Sequence, residues 1–329
     1  MNSLSIFKRA IVPVLAFFFL SIQAFPVAIT GAGSSFIYPI MTAVAKMYYD
    51  KTGKEINYQA VGSSTGIAMM NQGTVDFCAT EILEKLNAAD EGEYLAVPIG
   101  ASGIVPVVHI EGVKDNQLVL NGNIIVSIYL GTITYWDDPA IKRLNPDLEL
   151  PHNRIVLITR IGMSGTTYIF SKYLSMISLE WNHKVGAASI LNWPQSSIGG
   201  LDNAGVANYI KLIKNSIGYI EYKYFVANSL PAKVRMLNNE NKIITASYDS
   251  FYSAINNYDW SSRSLLINEP GGNSWPIIGL TYFVTKKDKM NEELKHFIEF
   301  MIKDPAARDK AKEMGYVLPD NVLYFEVKK

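Results

Sequence analysis

The chain has a single cysteine, Cys78, among 329 residues, so no disulfide can form within it. It has no charge surplus either: 30 basic and 30 acidic side chains cancel at neutral pH. A nucleic-acid partner gripped through its phosphates calls for a basic excess, and none is present. Histidine is scarce, limited to His109, His152, His183 and His296. None falls at HxH or HExxH spacing and no EF-hand loop occurs, so no metal site is expected. Nucleotide fingerprints also fail. Gly31-Ala32-Gly33 is followed by Ser34, Ser35 and Phe36 rather than a third glycine, and GxxxxGK[ST] is missing. A long apolar run is lacking too: Ala10–Leu20 falls short of the ~20 residues that a membrane-spanning helix needs.

That N-terminal run follows Lys8 and Arg9 and leads into Ser21-Ile22-Gln23-Ala24. A basic start, an apolar stretch and a small residue describe a secretory signal, so residues 1–24 are expected to be cleaved off. No cysteine follows the run, which argues for a free periplasmic protein over a lipid-anchored one. A large exported chain can carry its stability in its core without disulfides. Cys78, within the apolar stretch 75–79, reads as a buried strand residue. Without the leader the chain holds 28 basic and 30 acidic residues, so any anion site must be local.

The remainder is long enough for two domains, and strands alternate with helices along it. Strand patterns fall at 27–30, 56–61, 74–80, 95–98, 104–110, 155–159 and 277–285, with 216–222 and 242–244 extended. Helix patterns fall at 38–49, 65–71, 123–130, 166–174, 203–213, 291–302 and 305–314. This rhythm predicts an α/β protein with parallel sheet covered by helices.

Three segments share one plan: a strand, a loop of glycine and hydroxyl residues, then a helix. They are Thr30–Phe36, Val61–Gly66 and Arg160–Thr167. The first turn of a helix has N–H groups without intrahelical partners, and the helix dipole adds positive potential there. Glycine permits close backbone approach, and Ser or Thr hydroxyls add donors. Such ends bind phosphate or sulfate without excess charge. Each loop alone is also an ordinary N-cap or turn.

GAGSSFIYP (31–39), INYQAVGSSTG (56–66), VDFCATE (75–81), IYLGTITYWDDPAIKRLNP (128–146), MSGTTYIF (163–170), GYIEY (218–222) and SWPI (274–277) carry a stronger signal together. With them the chain resembles the periplasmic phosphate-binding proteins of bacterial phosphate ABC importers, from about Ile29 to near Val322. The resemblance implies a two-lobed periplasmic binding protein fold, each lobe a mainly parallel sheet flanked by helices, joined by hinge strands. It divides the chain into residues 25–103 and 278–329 for one lobe and 104–277 for the other. It implies high-affinity capture of inorganic phosphate in the cleft, delivery to the importer's membrane permease, a monomer, no cofactor and no enzymatic activity.

It also implies ligands. Ser35 and Phe36 come from the first loop, with Ser35 where the family usually has Thr. Ser63 comes from the second; Arg160, Ser164, Gly165 and Thr166 come from the third. Glu81 stands where the family typically has an aspartate that accepts the ligand's own proton, a test that phosphate passes and sulfate fails. Gly162 stands where the family commonly has an aspartate paired with the arginine. These two departures keep another oxyanion or a phosphorylated metabolite open as ligand. A phosphatase would need a nucleophile with a base, or a metal cluster, and neither is legible. An adhesion protein reusing the fold is a further alternative.

Overall fold

The structure is a computed structural model that describes residues 28–88, 94–256, 258 and 265–327. The expected leader, residues 1–24, and Val27 of the first expected strand lie outside the described residues. One hydrogen-bonded path runs through the sheet. Its order is Ile56–Ala60, Ile29–Gly33, Phe77–Thr80, Ile278–Lys286, Tyr94–His109, Ser216–Glu221, Val156–Arg160 and Ser197–Gly200. The first three strands are parallel to one another, as are the last three. Ile278–Lys286 and Tyr94–His109 lie between these groups and run antiparallel to their neighbours. The result is two α/β lobes sharing a crossing strand.

The crossing strand corrects the expectation of two separate strands at 95–98 and 104–110. Tyr94–His109 is continuous for 16 residues. Its partner changes midway: Gly103 pairs with Ile278, and Ile104 with Glu221. Gly100 and Gly103, which lie between those two expected strands, serve close packing. A Cβ at Gly103 would lie 2.2 Å from the Phe251 ring. Pro98 sits at a register shift opposite Thr281 and Tyr282, where a bulge tolerates a missing N–H. Trp275 is buried against the same strand, and its Nε1 donates to the Ile104 carbonyl at 3.0 Å.

Other elements largely follow their patterns. Tyr38–Thr52 buries Ile40, Met41, Val44 and Tyr48 on one face and ends on Gly53 in the left-handed region. Cys78 is fully buried in its strand. Short helices escaped the periodicity because each has too few turns to show one. Among them, Tyr248–Ile255 starts with a Ser247/Ser250 capping box. Residues 128–146 have a packing role: Trp136 is buried and donates to the Asn215 carbonyl, and Asp138 caps helix Pro139–Leu144.

This topology brings the three loops together. Ser34–Ile37, Val61–Gly62 and Glu81 leave the carboxyl ends of the first lobe's parallel strands, and Arg160 ends a parallel strand of the second. In open α/β sheets the crevice outside those ends is where ligands bind. Helix Ser63–Asn71 is pressed against the first loop: a Cβ on Gly66 would meet Gly33 Cα at 2.4 Å and Ala32 O at 2.6 Å. Both obstacles are backbone and cannot swing aside. Gly66→Ala should therefore destabilise the protein by ~1–3 kcal/mol. A urea midpoint equal to that of the parent would refute this packing.

Candidate functional site

Glu81 lies at the centre. It is 3% exposed, and no cation pairs with it among the described residues. Hydroxyls satisfy it instead: Ser63 Oγ donates to Oε2 at 2.7 Å and Thr281 Oγ1 donates to Oε1 at 2.8 Å. Burial raises its pKa above the ordinary carboxylate range, and hydrogen bonds from Ser34, Ser63 and Thr281 pull the other way. Across the cleft, Gly165 N donates to Ser63 Oγ at 3.1 Å. A Cβ on Gly165 would lie only 1.7 Å from Glu81 Oε2. The carboxylate therefore stands directly against the N-terminus of helix Gly165–Ile177, and no larger residue fits there.

Arg160 faces this group from the second lobe, 6% exposed. Its guanidinium donates to Ser35 Oγ at 3.4 Å and to the Leu201 carbonyl at 3.0 Å, and its buried Nε makes no hydrogen bond. Burial lowers its pKa; Tyr219, Asp202, Tyr224 and Glu81 oppose that shift. Gly162 adopts φ +80°, with open space where a side chain would be. Among the described residues no carboxylate hydrogen-bonds to Arg160 in its stead, and Asp202 Oδ1 caps helix Asn203–Leu212. The arginine keeps unspent donor capacity in a dry place.

The other expected residues gather here as well. Ser164 is the N-cap of helix Gly165–Ile177, its Oγ accepting from Thr167 N. Thr166 and Ser35 are buried and share a neighbour, Asn203. Phe36 can face the cleft only through its backbone. Its ring is in the core, edge-on to Tyr316, and its amide donates to Ser34 Oγ. That amide reaches an anion only by leaving Ser34.

Sequence reading missed several contributors. Thr281 looks like one polar residue in an apolar strand, and Asn203 like an ordinary first-turn residue. Lys85 Nζ reaches Ser64 Oγ at 2.9 Å in its own lobe and Ser189 Oγ at 2.7 Å in the other. Beside it, Glu84 accepts from Tyr168 across the cleft. Tyr224 donates to the Ser35 carbonyl. These contacts clasp the lobes shut. No single one has a sequence signature.

With this geometry in hand, kinship is informative. Residues 23–305 match the PBP superfamily domain. The phosphate-binding protein PstS of Haemophilus influenzae is 36% identical over 321 residues, covering 94% of this chain and 95% of that protein. PstS of Pasteurella multocida is 35% identical over 325 residues, covering 96% and 93%. The chain belongs to the PstS family of phosphate-binding proteins. This family consists of substrate-binding transport proteins, not enzymes. In structure the chain is similar to a putative phosphate transporter substrate-binding protein from Clostridium perfringens with bound phosphate. There the TM-score is 0.64 at 19% identity, covering 89% of this chain and 99% of that one. That likeness carries the two-lobed fold.

A second buried acid lies where the lobes join. Glu221 is fully buried, accepts from Ser102 Oγ of the crossing strand and caps helix Tyr222–Asn228. Burial pushes its pKa up to about 8. A folded-state value above the unfolded one means its contribution to stability is complete at acid pH and is lost as pH rises toward 8. The melting temperature of Glu221→Gln, measured against wild type, should therefore gain steadily from pH 5 to pH 8.5. A constant difference across that range would contradict a buried, titrating carboxyl.

Proposed function

We propose that the protein is a receptor that closes on one inorganic phosphate between its lobes and presents it to the permease of an ABC importer. The buried Glu81 opposite Arg160, ringed by donors from both lobes, carries the reading. The guanidinium and the N-terminus of helix Gly165–Ile177 favour an anion. The carboxylate tolerates that anion only if the anion brings a proton to share. Phosphate near neutral pH does so and sulfate does not. The proposed ligands are Ser35, Phe36, Ser63, Glu81, Arg160, Ser164, Gly165 and Thr166.

The remaining parts of the reading fit this role. Lobes of 25–103 with 278–329 and of 104–277 are supported by the change of strand partner at Gly103 and Ile104. A cleaved leader with periplasmic residence is supported by the basic–apolar start. Among the described residues no helix is long and apolar enough to cross a membrane. The protein acts as a monomer and without enzymatic turnover.

Equilibrium titration of ligand-stripped protein should show about one phosphate per chain, consistent with one cleft; no binding anywhere from pH 5 to 8 would defeat the reading. Glu81→Gln should weaken discrimination against sulfate, because an amide can also donate. In the wild type, discrimination should fall as pH drops toward 5, since the raised pKa of Glu81 lets it take up a proton and become a donor. Competition titrations with equal selectivity in both proteins at every pH would remove Glu81 from this role.

A further inference from the structure

Asn203 is fully buried and touches both lobes' anion loops. Its Oδ1 accepts from the Glu221 backbone N–H at 3.2 Å. A peptide N–H can only donate, so this contact fixes which way the amide faces. Nδ2 must then point the other way, where it donates to Ser35 Oγ at 3.1 Å and to Thr166 Oγ1 at 3.3 Å. Ser35 belongs to the first lobe and Thr166 to the second. Both hydrogens of the amide are used, one for each lobe.

The consequence concerns hydroxyl protons. A serine hydroxyl has two acceptor positions and one donor. Ser35 Oγ receives Asn203 Nδ2 and Arg160 at once, so both acceptor positions are taken. Its single proton has to be given away. Thr166 Oγ1 likewise presents a lone pair to Asn203 and is freed to donate. We propose that Asn203 is a positioning residue that, together with Arg160, turns the Ser35 hydroxyl into an obligate donor toward the bound anion and biases the Thr166 hydroxyl to donate as well, and does so only when the lobes are closed. This rests on the receptor reading above. It assigns Asn203 an action through these two hydroxyls, with no contact to the anion required. A free hydroxyl can rotate to suit a donor or an acceptor; that of Ser35 cannot and that of Thr166 has one acceptor position fewer, so the closed cleft has less freedom to rearrange around a wrong ligand.

Asn203→Asp is the discriminating variant because it is isosteric. Its carboxylate still accepts from Glu221 N but offers acceptors where Nδ2 had donors. The hydroxyls of Ser35 and Thr166 would turn to it, and their lone pairs would face the anion. Arg160, which shares Ser35 Oγ with it, feels Tyr219, Asp202, Tyr224 and Glu81, and Glu221 is bonded to Asn203 through its backbone. Inorganic phosphate would be titrated into ligand-stripped wild type, Asn203→Asp, Asn203→Ala, Ser35→Ala and the double variant Ser35→Ala/Asn203→Ala, with melting temperatures recorded alongside. Asn203→Ala should weaken binding roughly ten-fold, as the loss of about 1.4 kcal/mol of oriented hydrogen bonding implies. Asn203→Asp should weaken it further at pH 8.5, and that excess should shrink as pH falls and the carboxyl protonates. The Ser35→Ala/Asn203→Ala double variant should lose much less than the two single losses combined, because the two residues act through one bond. Additive losses, or equal affinities for the Asp and Ala variants at every pH, would overturn the role of Asn203 while leaving the receptor reading intact. A wild-type protein that fails to bind phosphate would take down both.

Discussion

Glu81 is an ionisable acid in a buried place with no cation paired to it among the described residues, and most of the cleft is arranged around that fact. An isolated carboxylate in a low-dielectric interior is strongly penalised, so it must be hydrogen-bonded or neutralised. Here Ser63 and Thr281 supply hydroxyl donors, and burial still tilts the group toward protonation. Gly165 has to be glycine because the carboxylate occupies the space beside it. The extra methylene relative to an aspartate thus has a visible result: the acid reaches across to the opposite helix end. Arg160 sits across the same cleft with a buried Nε left unpaired. An acid wanting a donor and a cation wanting an acceptor face one space. A monoprotonated or diprotonated oxyanion satisfies both.

Closure is what turns separate lobes into this environment. The crossing strand Tyr94–His109 is hydrogen-bonded to one lobe over its first half and to the other over its second. It holds the carboxyl ends of both parallel sheets toward one another. Polar contacts then complete the closed form: Ser63 with Gly165, Ser35 with Arg160 and Asn203, Lys85 with Ser189, and Glu84 with Tyr168. Individually these are modest, since each exchanges a bond to water for a bond to protein. All of them span the two lobes, so a single lobe movement would break them together.

Much of the fold was legible because its signals are local. Helix Tyr38–Thr52 shows its buried stripe within a few turns, and helix Asn291-capped Glu292–Lys303 does the same. The three Gly/Ser/Thr loops were legible for the same reason, as strand, turn and helix start are contiguous. The expected strands 95–98 and 104–110 are one, and Gly100 and Gly103 between them allow Phe251, Ile37 and Leu318 to approach an unbroken strand. Pattern alone cannot tell a glycine needed for a turn from one needed for clearance.

The residues of the sequence by themselves determined the α/β rhythm, the family, and the loops and charged groups that converge on the cleft. Each of these depends on neighbours along the chain or on a motif preserved in order. Tertiary structure alone decided how those groups are satisfied. Asn203 meets Ser35 from 168 positions away, Thr281 meets Glu81 from 200, and Lys85 meets Ser189 from 104. A hydrogen bond depends on distance and direction in space, and neither is written in the spacing of residues so far apart. The burial of Glu81 was decided in the same way, by those distant hydroxyls and by the closeness of Gly165.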